Sequence, residues 1–152
     1  MRYLALICCA GLLIGCGGQQ EAASDEMEGE AASMEMASLG DYAGTWQMQA
    51  LTEAGDSVLV EYEMVATDSM DGWTITFPER ETMPLRVISH EGGSLVTEVG
   101  PYESLFRPDV MVTTRMTSRL ENGMLVGSFM ATYDTEDADS TMSGQARGTK
   151  VE

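Results

Sequence analysis

The chain has little that binds a metal, attacks a substrate or pairs with nucleic acid. It carries one histidine, His90, in 152 residues, so no histidine-based metal cluster forms from a single chain. His90 stands before "EGG" at an expected strand end and reads as an exposed turn residue. No Gly-x-Ser-x-Gly turn is there to raise a serine nucleophile. Carboxylates abound, but so acidic a chain brings pairs together by chance, and none is assigned an acid or base role. The reading is therefore of a protein that is not an enzyme and needs no cofactor. Lysine is nearly missing as well: Lys150 is the only one, and 25 acidic residues face 8 basic ones for a net charge of -17. That balance excludes the basic footprint of a nucleic-acid partner, and an anionic lipid surface would repel the protein. Such a surface suits high salt, which screens self-repulsion, although a soluble extracytoplasmic surface from any host has the same look.

Cysteine is confined to Cys8, Cys9 and Cys16, and there is only one long apolar run, "YLALICCAGLLIG", preceded by Arg2. A positive residue, a short apolar segment and small residues are the organisation of a secretory leader. The 12 residues from Tyr3 to Ile14 reach about 18 Å as a helix, against roughly 30 Å of bilayer hydrocarbon, which is short for a permanent span. Leu13, Ile14, Gly15 and Cys16 resemble the lipobox of bacterial lipoproteins. The resemblance implies a thiol lipidated at Cys16, cleavage after Gly15 and an acylated new amino terminus. Each buried CH₂ contributes about 0.8 kcal/mol, so two or more chains hold a protein at a membrane where one does not. An uncleaved anchor, or an ordinary leader that contains Cys, is the alternative.

The expected organisation is then a leader at 1–15, a lipidated tether at 16–39 and one domain at 40–152. With all three cysteines removed or lipidated, no disulfide supports that domain, and loss of Arg2 takes the charge to -18. The tether "GGQQEAASDEMEGEAASMEMAS" has no aromatic and no β-branched residue and cannot offset its ordering entropy by burial. In the enteric sorting pattern, Asp after the lipidated Cys retains a lipoprotein in the inner membrane. Gly17 stands there instead, which favours the outer membrane if the host has two.

From Asp41 onward the hydropathy alternates. Trp46, Met48 and Ala50 oppose Gln47 and Gln49; Val58, Val60, Tyr62 and Met64 oppose Glu61 and Glu63. Trp73, Ile75 and Phe77 alternate with Thr, and Val110, Val112, Met116 and Leu120 face away from Arg115 and Arg119. A period of two with one polar face predicts antiparallel strands wetted on one side. Strands are expected near 43–51, 57–67, 72–77, 83–89, 94–99, 110–120, 124–133 and 141–150. Turn chemistry separates them, with Asn122-Gly123 a strong two-residue hairpin signal. Eight strands in an up-and-down meander close into an all-β barrel that is either filled by side chains or holds one small ligand; a β-sandwich is the runner-up.

Gly44, Thr45 and Trp46 resemble the Gly-x-Trp signature on the first strand of lipocalins and related calycin barrels. The resemblance implies that Trp46 plugs the closed end and that a basic residue of the last strand, here Arg147, lies over its ring. The Thr-Asp-Tyr triplet of that family is missing; "ATYD" at 131–134 does not match it.

Two metal readings are weighed and set aside. Asp134, Glu136, Asp137 and Asp139 in "DTEDADS" offer oxygens to Ca²⁺, but the loop lacks the Gly and the Glu of an EF-hand, and a solvated turn is preferred. The 13 methionines, among them Met34 and Met36, suggest Cu(I), yet Met48, Met64, Met116 and Met142 fall on inward faces where Met fills space. No metal site is expected. Two functions remain: a membrane-tethered barrel whose interior, lined by Val60, Tyr62, Met64, Trp73, Ile75, Phe77, Val112 and Met116, binds a small apolar ligand; or a packed, non-catalytic module that meets an envelope protein. Interior volume separates them.

Overall fold

The computed structural model describes residues 36–136 and 140–151. The expected leader, the expected tether as far as residue 35, with Cys16 and Met34, and Asp137 and Asp139 of the acidic loop lie outside these residues. Met36 is exposed.

The described residues form an all-β, nearly closed antiparallel barrel preceded by one short helix. The helix α1 spans Leu39–Tyr42 and the strands are β1 Gly44–Leu51, β2 Val58–Ala66, β3 Thr74–Thr76, β4 Met83–Pro84, β5 Arg86–Glu91, β6 Ser94–Glu103, β7 Met111–Glu121, β8 Met124–Tyr133 and β9 Thr141–Val151. They make one sheet in the order β4-β3-β2-β1-β9-β8-β7-β6-β5, so the meander closes where the first strand pairs with the last. Alternation dictates the faces: Trp46, Met48 and Ala50 are buried on β1, and Leu95, Thr97 and Val99 on β6. Asn122 and Gly123 adopt positive φ of 51° and 78° between the paired Glu121 and Met124, as the hairpin signal predicts.

The strand count is nine and not eight because the expected strand 83–89 is divided at Leu85. Pro84 pairs with Thr74 on one side, and Arg86 pairs with Glu98 on the other. Leu85 between them turns inward and is buried. One bent segment thus serves two neighbours, each over part of its length. The gaps left in the ladder are covered by side chains. At one end of the barrel Tyr42 of α1 fills the space beside β5, its ring edge-on to His90 at 5.6 Å and 6.4 Å from Trp73. At the other end Phe77 meets Tyr102 with ring centroids 5.4 Å apart, and Arg80 pairs with Glu103 at 3.7 Å.

The last residues of the expected tether, 36–39, are among the described residues. Ala37 and Leu39 pack against the core, and Ser38 donates from its backbone N and its Oγ to Asp41 Oδ2 at 2.7 and 2.8 Å. These bonds, the side-chain one first, lower the pKa of Asp41. His90 is not an exposed turn residue either; it lies within β5, half-buried against Tyr42. Val58 opens β2 beside a register shift and is exposed, unlike the other inward residues of that strand.

Candidate functional site

The two ends of the barrel differ in kind. At the α1 end the core is solid. Trp46 is buried and its Nε1 donates to the Tyr42 carbonyl at 2.7 Å; Tyr42 in turn donates to the Gly93 carbonyl at 3.2 Å. Burial raises the pKa of the Tyr42 phenol. Trp73 belongs to this plug as well, with Nε1 donating to the Ser69 carbonyl at 2.7 Å.

The cation at this end is Lys150 and not Arg147. Lys150 Nζ lies 5.6 Å from the centroid of the Trp46 ring, and the two residues are partners across β1 and β9. Arg147 has the opposite parity: it faces out and donates from Nε to Gln49 Oε1 at 2.8 Å. Gly44 makes the arrangement possible. A Cβ there would stand 2.6 Å from Lys150 Cε, and the φ of +134° is one that side-chain-bearing residues rarely adopt.

Toward the opposite end the interior opens into a cavity of about 60 Å³. Seven of the eight expected interior residues line it: Val60, Tyr62, Met64, Ile75, Phe77, Val112 and Met116. Trp73 does not, because β3 begins at the plugged end and only its later residues reach the cavity. Sequence reasoning missed several members of the lining, among them Thr97, Tyr102, Phe129, Ala131 and Tyr133. Alternation along "SLVTEVG" carries the signal for Thr97, which shares its face with Leu95 and Val99.

The loop between β6 and β7 covers the mouth. Ser104 is buried and its Oγ accepts the N–H groups of Phe106 and Arg107 at 3.1 and 3.0 Å, which folds the loop back over the opening. Arg107 lies over the Tyr133 ring, 4.1 Å from its centroid, while Phe106 leaves its ring nearly half exposed at the rim.

Polar atoms in the cavity are few. Tyr62 donates only to Met116 Sδ, at 3.6 Å, and Tyr102 and Thr114 share a bond of 3.0 Å. Burial raises the pKa of both phenols. Thr97 is fully buried and its hydroxyl has no partner among the described residues. Among the described residues, none that lines the cavity is charged. No protein-family model, no curated protein and no solved structure matches the chain.

Proposed function

We propose that the protein is a cell-envelope lipoprotein, held at a membrane by acyl chains on Cys16, whose barrel receives a small apolar ligand through the end covered by the 104–110 loop. The observation that carries the reading is the uncharged cavity behind a stretch of wall closed by side chains, Phe77 on Tyr102 and Arg80 on Glu103, where strand ladders close the rest. Side-chain contacts part at lower cost than a run of backbone bonds, so entry there leaves the barrel intact.

A volume of about 60 Å³ is far below the roughly 300 Å³ of ordinary small-molecule sites. The cavity therefore takes the end of a ligand, and the remainder lies between Phe77, Tyr102 and Phe106. The same small volume supports the second reading, a packed module that meets an envelope protein.

Titration of an apolar fluorescent probe into the full chain carrying Cys16→Ser separates the two. One saturable site is expected, and Ala131→Leu, which fills the cavity, should remove it while the chain stays folded. A folded parent chain that takes up no probe is the packed module. For the anchor, metabolic labelling with a fatty acid should mark the wild type alone; equal label in Cys16→Ser would sink that part.

A further inference from the structure

Resting on the ligand-binding reading, we infer that the ligand is an uncharged amphiphile that enters polar end first, an alcohol, aldehyde or ester whose oxygen accepts a hydrogen bond from Thr97. Thr97 sits on the inner face of β6 between Leu95 and Val99, opposite Met116, on the plugged side of the cavity. Thr97 is wholly buried and is one of the residues that line the cavity, and its hydroxyl has no hydrogen-bond partner among the described residues. A buried hydroxyl without a partner destabilises the fold, and valine would fill the same shape without that cost. A partner supplied from the cavity removes the penalty, and the cavity is where the ligand comes in.

The neighbouring polar atoms agree. Tyr62 gives its proton to a thioether, a weak acceptor that an oxygen readily displaces. Burial keeps this phenol neutral, so it stays a donor. A carboxylate would meet no cation anywhere in the lining and would lose its hydration uncompensated. The rival arrangement is a fatty acid with its tail inside and its carboxylate on Arg107 at the rim. That guanidinium already stacks on Tyr133, and the arrangement leaves Thr97 unpartnered.

The test uses the full chain with Cys16→Ser and the bound fluorescent probe, displaced at pH 8 by octan-1-ol, sodium octanoate or n-octane. Octan-1-ol should displace the probe at a concentration at least tenfold below that of octanoate. Thr97→Val should weaken octan-1-ol about fivefold and leave n-octane unchanged, whereas Thr97→Ser should keep the alcohol's advantage. Octanoate binding as well as the alcohol, or Thr97→Val without effect on the alcohol, overturns the inference while ligand binding stands. A chain that binds neither the probe nor any of the three overturns the ligand reading itself. If Thr97→Val does not fold, the ratio of alcohol to octanoate on the parent chain decides.

Discussion

Lys150 and Trp46 are partners across the strands that close the barrel, and the lysine's ammonium lies over the indole it faces. The cation also reaches the Asp41 carbonyl at 3.5 Å, so it ties α1 and the last strand to the plug. In a solvent-exposed setting such a contact contributes about 0.5 to 1 kcal/mol. Lys150→Ala should lower the unfolding free energy by about that much, while Arg147→Ala, which loses one exposed bond to Gln49, should cost less than about 0.5 kcal/mol. Urea titrations of the two variants check the order; equal losses would remove the special place of Lys150.

Trp46 is one of the two tryptophans of the plug, and its indole N–H donates to the Tyr42 carbonyl. Trp46→Ala leaves a hole and a buried acceptor without its donor, and should cost about 3 to 5 kcal/mol. Near-UV dichroism should collapse along with stability. A variant that keeps a sharp near-UV spectrum and loses less than about 1 kcal/mol would show that α1 and Tyr42 hold the end closed without it.

Alkali should unfold the protein through Tyr62 and Tyr102. Burial raises the pKa of both phenols above that of the unfolded chain, about 10. Above that pH the unfolded chain releases protons that the folded one keeps, so stability is intact below about pH 10 and falls as pH rises further. Tyr62→Phe should shallow the fall. Thermal melts from pH 8 to 12 read it, and identical slopes in parent and variant would clear Tyr62 of the effect.

Salt should stabilise the domain. With 25 acids, 8 bases and a single lysine, repulsion is least screened at 0.01 M ionic strength, where the Debye length is about 30 Å. Melting temperature should climb steadily into molar NaCl. The paired cations Arg86 and Arg115 beside Glu98 show local relief of the repulsion, and a flat salt series would mean that such pairs suffice.

How much of this was legible in the sequence varies with the residue. Alternation located the strands and, apart from the exposed Val58, the inward set on β1 and β2, because one face of each meets apolar neighbours and the other meets water. Position along the barrel axis was not legible: Trp73 and Phe77 share a face, yet one joins the plug and the other the cavity, a distinction set by register across the sheet. The resemblance put Arg147 over the Trp46 ring, and the inner face of β9 carries Gly144, Ala146 and Gly148, which give no apolar signal to fix the parity. Those small residues leave room for larger neighbours; a Cβ on Gly148 would stand 2.1 Å from Met48 Sδ. Tyr42 escaped notice because it lies on a four-residue helix, too short to show a period.

The pairing of β1 with β9 also sets an order of events during synthesis. Met48 meets Gly148, 100 positions further along the chain, so the barrel cannot shut until its final strand has emerged. Until then β1 offers one whole flank of backbone groups, with Trp46 and Met48 alongside, to any passing strand. Contacts so distant in sequence form slowly, and a waiting edge of this kind invites mispairing between nascent copies. Keeping chains apart until the last strand docks is a kinetic task that falls before the finished structure exists, and the surplus of negative charge, which makes copies repel one another, serves it from the first acidic residue onward.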